Sequence, residues 1–278
     1  MQYAIIVKQC GSEGSDDTEP AVRRAADGVH PLESGREENV IPKIIHYCWF
    51  GRGEKSEKMR RCMASWQKYC PDYRIVEWNE DNFDVEQNGY TRMCLREKKY
   101  AFLSDYVRLA VVAEHGGIYL DTDVELLRAP DLLLAEKAFW GFETLDAVNS
   151  GLGFGSEAHG QAVEAMLREY DPLLDGKHGT IGCPRLNTSA LVKLGLRPDG
   201  TMQHVAEALI CPGDWFNPYD SATGRLNITK NTISIHWYSA SWMSRGQRLR
   251  CAIGRPLHRL FGVDFFRRVQ TWGRKSES

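Results

Sequence analysis

One stretch of twenty residues, Ser104 to Asp123, constrains the fold more than any other part of this 278-residue chain. Apolar residues at helical spacing predict a helix over residues 99–115, and Gly116-Gly117 end it, because glycine readily takes a positive φ. The apolar residues 118–120 then begin a strand that runs directly into Asp121-Thr122-Asp123. A helix that returns through a tight turn into a buried strand is typical of an α/β sheet.

The flanking sequence repeats this alternation. An apolar run over residues 44–50 predicts one strand and residues 73–78 predict another, with a helix between them that Pro71 ends. The apolar face of that helix comprises Met59, Cys62, Met63, Trp66 and Cys70. A further helix is predicted over residues 162–170 and a late strand over residues 233–238. The chain is therefore predicted to form an α/β domain with a nucleotide-sized cleft at the strand ends.

Composition sets the boundaries of that domain. Residues 1–40, rich in Gly, Ser, Glu and Asp, are predicted to be a disordered tail, because they bury too little apolar surface to order themselves. Residues 41–244 are predicted to form the α/β domain, and residues 245–278 a basic amphipathic segment. Hydrophobic residues make up 42% of the chain and charged residues 26%, which excludes a wholly disordered chain, a coiled coil or a collagen.

Charge and cysteine content limit the partners and the compartment. The formal net charge of −2 gives no overall attraction to nucleic acid, so no nucleic-acid partner is predicted. No apolar run reaches the length of about 18 residues that a spanning helix needs. The eight cysteines include no C-x-x-C pair, and we expect them to be reduced in the cytoplasm. Cys183 and Cys211, each followed by a proline, are predicted to be structural.

Asp121 and Asp123 are the first candidates for chemistry. Lying two residues apart at a strand end, both carboxylates can reach one cation, and Mg²⁺ and Mn²⁺ prefer carboxylate oxygen. In isolation the same pattern is also typical of a solvated turn. On the preceding helix, Asp105 and Arg108 are three residues apart and share a face. They are candidates for contacting a sugar hydroxyl and a phosphate, and the alternative is a surface ion pair worth little.

Four segments together carry a resemblance to a known family. They read IPKIIHYCWFG, SDYVRLAVVAEHGGIYLDTDV, NSGLGFGS and ISIHWYSASW. In this order they resemble glycosyltransferase family 32, the D-x-D group of Och1-like mannosyltransferases and bacterial capsular and lipopolysaccharide enzymes. The chain is also distantly similar to the catalytic domains of the large clostridial glucosylating toxins. The resemblance implies a GT-A type nucleotide-diphospho-sugar transferase fold, a Rossmann-like mixed sheet flanked by helices, with a nucleotide-sugar donor, Mn²⁺ or Mg²⁺, and retention at the anomeric carbon.

Roles for individual residues follow from this resemblance. It implies that Asp121, Asp123 and His236 hold the metal, and that Asp121, Asp123 and Arg108 act in catalysis. The implied donor contacts are Trp49, Ser104, Asp105, Arg108, Tyr119, Asp121, Asn149, Ser241 and Trp242. Trp49 would stack on the donor base, although a core tryptophan fits the sequence as well. Asn149 also fits a simple turn, and His236 a satisfied structural histidine.

The predicted function is metal-dependent, retaining transfer of a hexose from a nucleotide-sugar to a glycan or lipid-linked glycan, in cell-surface polysaccharide synthesis. Two alternatives stay open: a non-catalytic domain that binds a nucleotide-sugar or glycan, and a nucleotide-sugar hydrolase. The C-terminal segment offers a further hypothesis. Between residues 245 and 275, Arg and Lys flank an apolar and aromatic stripe. This pattern is typical of a helix that lies on an anionic membrane surface, here the inner face of the membrane. The alternative is that this stripe packs on the domain.

Overall fold

The computed structural model describes residues 40–239 and, beyond them, Pro256 alone. The predicted tail, residues 1–40, falls outside this range except for Val40, and so does the predicted amphipathic segment, residues 245–278, apart from Pro256. Ser241 and Trp242 also lie outside the described residues. The domain boundaries and the roles of these two residues therefore remain predictions.

Helices and strands alternate as the sequence predicts. The helices are α1 (Glu57–Tyr69), α2 (Gly89–Arg96), α3 (Tyr100–His115), α4 (Gln161–Arg168) and α5 (Cys183–Lys193). The first six strands are β1 (Ile44–Cys48), β2 (Arg74–Trp78), β3 (Gly117–Tyr119), β4 (Val124–Leu126), β5 (Ala138–Thr144) and β6 (Ala147–Val148). The remaining strands are β7 (Phe154–Ser156), β8 (Gln203–Val205), β9 (Ala208–Cys211), β10 (Tyr219–Asp220), β11 (Arg225–Leu226) and β12 (Ser234–His236).

The central sheet is mixed. Its strand order is β2-β1-β3-β7-β5-β9-β8, and β6 pairs antiparallel with β5 outside this order. Strand β1 is parallel to both β2 and β3, β5 is parallel to β9, and β7 runs antiparallel between β3 and β5. Strands β1, β2, β3, β5 and β9 therefore share one direction, and their carboxyl ends meet at one edge of the sheet. This α/β architecture with a mixed, helix-flanked sheet confirms the predicted fold class.

Apolar side chains cover both faces of the sheet. One cluster joins α2, α3, α4 and α5 to the sheet, with Trp140, Tyr170 and Phe154 among its fully buried members. A second cluster lies around α1, where Trp66 is fully buried and donates its indole N–H to the carbonyl of Val124 at 2.8 Å. Because helices cover both faces, the open surface of the sheet lies at its strand ends.

Each predicted strand is shorter in the structure: residues 44–50 form Ile44–Cys48, and residues 73–78 form Arg74–Trp78. The strand predicted to begin at residues 118–120 is β3, Gly117–Tyr119. Directly after it, the backbone N–H of Leu120 donates to the carbonyl of His46 at 3.0 Å. The late strand predicted over residues 233–238 is reduced to β12, Ser234–His236, because Tyr238 adopts a φ of 46°, which ends extended backbone. Within residues 40–239, no helix has the length and apolar character needed to cross a membrane.

A two-stranded ribbon beside the main sheet brings a distant segment to the D-x-D pair. Strand β12 pairs antiparallel with β4, with His236 opposite Val124. Since β4 follows Asp123 directly, this register places His236 next to that carboxylate.

Candidate active site

Asp121, Asp123 and His236 form a compact group of possible metal ligands. One ligand atom from each lies within 4.8 Å of the others. The three come from the loop after β3 and from β12, at the carboxyl edge of the sheet. The structure therefore brings together the three residues for which the sequence predicts a metal site.

Asp123 is held by the segment that carries His236. Its Oδ1 lies 3.2 Å from Nε2 of His236, and its Oδ2 accepts the backbone N–H of Ser239 at 2.6 Å. Burial alone would raise the pKa of the Asp123 carboxyl, but His236 and the Ser239 amide lower it to about 2. Burial likewise opposes a charged His236, yet Asp123, Asp121 and Glu143 raise the pKa of its imidazole. Without a cation, the two side chains thus form a buried ion pair.

Asp121 is held from the other side, by the core. Its Oδ1 accepts a hydrogen bond from Nη2 of Arg108 at 3.0 Å and another from the hydroxyl of Tyr119 at 3.0 Å. The guanidinium of Arg108 also lies over the Tyr119 ring, 4.9 Å from its centroid. One oxygen of Asp121 is thereby fixed, which leaves Oδ2 as the oxygen available to a cation.

Asp105 and Arg108 form a buried pair, not the surface pair considered as an alternative. Their side chains are 12% and 4% exposed, and Nη2 of Arg108 lies 3.1 Å from Oδ1 of Asp105. The Nε of Arg108 donates to the carbonyl of Ser104 at 3.2 Å. Arg108 therefore bridges two carboxylates inside the protein, and this geometry makes it a positioning residue for Asp121. Direct contact of Ser104, Asp105, Arg108 or Tyr119 with a donor remains a prediction.

The Asn149-Ser150-Gly151 loop lies directly against the D-x-D pair. Asn149 Oδ1 accepts the backbone N–H of Gly151 at 2.7 Å, which closes a tight turn. A Cβ on Gly151 would lie 2.7 Å from Oδ2 of Asp121 and 3.0 Å from Nη1 of Arg108. Only glycine allows so close an approach, so this turn forms a wall of the site, and contact of Asn149 with a donor remains a prediction.

Three residues at the site were missed at the sequence level. Cys183, taken as structural because a proline follows it, donates its thiol to Asn149 Oδ1 at 3.2 Å and lies 3.9 Å from Nη1 of Arg108. Glu143 follows the buried part of β5 and accepts from Asn149 Nδ2 at 3.1 Å. Tyr238 donates its hydroxyl to the same Glu143 oxygen at 3.0 Å and lies with its ring 4.1 Å from that of His236. The one available signal was the carboxylate at a strand end in GFETLD.

Trp49 lies at the same edge of the sheet but in a separate cavity. This cavity, of about 300 Å³, opens at the carboxyl ends of β1 and β2 and is lined by Trp49, Arg52, Gly53, Lys55, Glu77, Asn79, Glu80 and Asp81. The indole N–H of Trp49 donates to the carbonyl of Gly53 at 2.7 Å, and the Lys55 ammonium lies 5.0 Å from the ring centroid. Trp49 is half-buried.

The donor atoms of the Asp-Asp-His group suit a divalent cation. Two carboxylates and one imidazole match the ligand preferences of Mn²⁺, and Mg²⁺ accepts the carboxylates with water in the remaining positions. His236 Nδ1 is buried and has no hydrogen-bond partner among the described residues. The residues present therefore fit the predicted metal.

Comparison with known proteins gives a match to the part of the chain that carries Asp121 and Asp123, but not to the segment that carries His236. Residues 56–140 match the family described as a glycosyltransferase sugar-binding region containing a DXD motif. The chain is 32% identical over 103 residues to inositol phosphoceramide mannosyltransferase 3 of Schizosaccharomyces pombe and 26% identical over 126 residues to subversion of eukaryotic traffic protein A of Legionella pneumophila. These matches confirm the resemblance inferred from the motifs.

The matches are partial on both sides. They cover 34% and 36% of this chain and 28% and 19% of the two relatives, so the chain spans well under two thirds of the curated relatives it matches. Among solved structures, the PaToxG glycosyltransferase covers 55% of this chain and 69% of its own, at 19% identity. The TM-score of this pair is 0.45.

Proposed function

We propose that this chain, whose residues 56–140 belong to the DXD-containing sugar-binding regions of glycosyltransferases, is a metal-dependent retaining glycosyltransferase. It would move a hexose from a nucleotide-sugar donor to a glycan or lipid-linked glycan acceptor, in cell-surface polysaccharide synthesis. The observation that carries this proposal is the convergence of Asp121, Asp123 and His236 within 4.8 Å at the carboxyl edge of the sheet. Ligands of open α/β sheets bind at that edge.

Each residue of the site has a task in this proposal. Asp123 and His236 would hold the cation together with Oδ2 of Asp121, while Arg108 and Tyr119 fix the orientation of the Asp121 carboxylate. A divalent cation bound there supplies Lewis-acid stabilisation of the negative charge that develops on a departing nucleoside diphosphate. The half-exposed Trp49, on the same edge, supplies a flat apolar surface for the base.

Retention is proposed without a covalent intermediate. The acceptor hydroxyl would attack the anomeric carbon on the face from which the diphosphate leaves, and a diphosphate oxygen would take its proton. The bond to the acceptor oxygen then forms as the bond to the diphosphate oxygen breaks, so no further reactant is needed. The name of the S. pombe relative describes transfer of mannose to an inositol phosphoceramide, which supports mannose as the first hexose to test and a lipid as the first acceptor.

A donor screen tests the proposal. The full chain would be incubated with Mn²⁺ and GDP-mannose, UDP-glucose, UDP-galactose or UDP-N-acetylglucosamine, and released nucleoside diphosphate would be measured with and without an acceptor extract. We expect release that one donor supports best, that EDTA abolishes and that acceptor accelerates. Release that acceptor leaves unchanged would favour the hydrolase, and metal-dependent binding without release would favour the binding domain.

The predicted membrane association stands as a second, separate proposal. It places the enzyme in the cytoplasm, bound peripherally through residues 245–275, where the basic and apolar residues alternate. Sedimentation with anionic vesicles tests it. Truncation after Ser244 should weaken binding and so should added salt, because the attraction of Arg and Lys to anionic lipid is electrostatic. Equal sedimentation of the two forms would contradict this placement.

A further inference from the structure

Glu143 contacts both the Asn149-Ser150-Gly151 turn and the segment that follows His236, and the proposed function gives it no role. Its Oε1 accepts two hydrogen bonds, from Asn149 Nδ2 at 3.1 Å and from the hydroxyl of Tyr238 at 3.0 Å. Asn149 belongs to the turn that touches Asp121, and Tyr238 lies with its ring against His236. Glu143 is therefore joined to both sides of the metal group through one side chain each.

The second carboxylate oxygen of Glu143 is left open. Among residues 40–239, no group donates a hydrogen bond to Oε2, and no basic side chain there pairs with it. The residue is half-buried, and its backbone carbonyl is fixed by Asn217 Nδ2 at 3.0 Å. A carboxylate that two donors hold in place and that keeps one oxygen unpaired is suited to accept a hydrogen bond from a ligand.

The backbone at Tyr238 indicates that this arrangement is maintained at a cost. Tyr238 has a φ of 46°, a conformation that L-residues other than glycine rarely adopt. Such strain persists only where the surroundings over-determine it, and functional sites are where it clusters. Here the contacts that hold Tyr238 are its ring against His236 and its hydroxyl on Glu143.

Sheet order places Glu143 on the side of the site where a sugar would lie. The Trp49 cavity opens at the ends of β1 and β2, and the D-x-D pair follows β3. Glu143 is near the end of β5, two strand positions further along the same edge, or about 10 Å from β3 at normal strand spacing. A donor with its base at Trp49 and its diphosphate at the metal would extend its sugar toward β5.

We propose that Glu143 is a sugar-contacting residue, whose Oε2 accepts a hydroxyl hydrogen of the hexose being transferred. This inference rests on the proposed transferase function and adds a determinant of which sugar is accepted. The contact is non-covalent, and no bond to Glu143 forms during transfer. Asn149 and Tyr238 act as positioning residues for this carboxylate.

Binding of donor and of free nucleotide by matched variants tests the proposal. Titration calorimetry with Mn²⁺ would compare GDP with GDP-mannose and UDP with UDP-glucose on wild type, Glu143→Gln and Glu207→Gln. Glu207 is an exposed carboxylate before β9, at the opposite edge of the sheet, paired with Lys137 at 2.7 Å. Glu143→Gln should weaken the preferred nucleotide-sugar about tenfold, as expected for one hydrogen bond to a charged acceptor, and leave the nucleoside diphosphate within about twofold. Glu207→Gln should change neither.

A second comparison identifies the hydroxyl. Among deoxy forms of the preferred donor sugar, one should bind wild type and Glu143→Gln with equal affinity, because the contact is already absent. If Glu143→Gln does not fold, Tyr238→Phe replaces it in the titrations. Removal of the hydroxyl frees the Glu143 carboxylate, so binding of the nucleotide-sugar should weaken by less than tenfold while binding of the nucleoside diphosphate stays unchanged.

The outcomes separate this inference from the proposed function. Equal weakening of nucleotide and nucleotide-sugar would show a structural role for Glu143 and overturn the inference, and so would wild-type behaviour of Glu143→Gln. A sugar adduct on Glu143 in intact-protein mass spectrometry would overturn its non-covalent character. A wild-type chain that binds or turns over no nucleotide-sugar would refute the transferase itself, and the assignment of Glu143 with it.

Discussion

The α-carbon of Gly151 faces Oδ2 of Asp121 so closely that a methyl group on it would lie 2.7 Å from that oxygen. Asp121 cannot move away without losing hydrogen bonds, because Arg108 and Tyr119 both donate to its other carboxylate oxygen. The Asn149-Ser150-Gly151 turn and the D-x-D pair therefore constrain each other, although they are separate in the sequence.

Gly151→Ala should turn the Asp121 carboxylate away from its present position. We expect Mn²⁺ affinity and donor turnover to fall by about 10- to 100-fold, the range seen when groups that orient metal ligands are lost. Calorimetric Mn²⁺ titration measures the first effect and nucleotide release the second. Gly182→Ala is the control, since the nearest atom to its added methyl is 3.8 Å away. Wild-type Mn²⁺ affinity in Gly151→Ala would contradict the expected clash.

Asp123→Asn should abolish metal-dependent turnover while the domain stays folded. The neutral amide is a weak ligand for a hard cation, and Asp123 lies at a strand end, outside the apolar core. Its carboxylate also accepts from Ser239 and pairs with His236, so we expect local loosening of residues 234–239. Turnover with and without EDTA, together with hydrogen exchange of that segment, measures both effects. Asp72→Asn, an exposed carboxylate paired with Lys43, should behave as wild type; full activity of Asp123→Asn would refute the metal site.

His236→Ala should lose activity to a greater extent than stability. The imidazole is buried, but one of its nitrogens has no partner among the described residues, and Asp123 keeps the Ser239 hydrogen bond when the ring is removed. Turnover and melting temperature would be compared with those of His204→Ala, at an exposed histidine of β8. A large fall in melting temperature with near-normal turnover of the folded protein would instead indicate a structural histidine.

Arg108→Met should destabilise the fold strongly. The change leaves Asp105 and Asp121 without the buried cation between them, and breaking a buried ion pair by removing one partner costs about 3–5 kcal/mol. Urea unfolding measures this loss. Arg168→Met is the matched control, because the Arg168–Glu164 pair on α4 is largely exposed and such pairs contribute about 0–1 kcal/mol. Similar losses in the two variants would show that the Arg108 pair is no more important than a surface pair.

His46 should make stability depend on pH. Burial lowers the pKa of its imidazole from 6.5 to about 4, and the ring is held neutral between the Trp78 indole N–H and the Gly116 carbonyl. Between pH 6.5 and pH 4 the unfolded chain therefore binds a proton that the native chain does not. The contribution of His46 to the free energy of unfolding should fall by roughly 3 kcal/mol as the pH is lowered across this window, and this contribution should stay level above it. Urea titrations at several pH values measure the slope, and His46→Gln should remove this contribution.

The sequence predicted those parts of the site whose signals are local. Asp105 and Arg108 are one helical turn apart, and Asp121 and Asp123 follow an apolar strand. Sequence spacing alone therefore predicted that the two side chains of each pair lie close together. His236 was found through a motif and not through periodicity. The burial of Arg108 was not predictable, because a helix face that contains Lys or Arg is usually solvated. In the structure, α5 and the Asn149 turn cover the Arg108 side chain.

Glu143 and Tyr238 were missed for two different reasons. Strand β5 is buried on both faces, so its sequence shows no alternation from which the direction of Glu143 could be inferred. The positive φ of Tyr238 was not predictable from the residue type, because neither glycine nor asparagine stands at this position and tertiary contacts impose the conformation. Cys183 was judged structural from its proline neighbour, and only its contacts with Asn149 and Arg108 show that it lines the site.

The ribbon of β4 and β12 has a consequence for how the protein matures. Ser239 and Asp123, which it brings together, are 116 residues apart in the chain. Closing so long a loop is slow relative to local helix formation, and during synthesis the D-x-D pair leaves the ribosome well before the residues that complete its surroundings. A nascent chain that stops before β12 lacks His236, so under the proposed function the complete metal site would form only when nearly the whole described domain has been made.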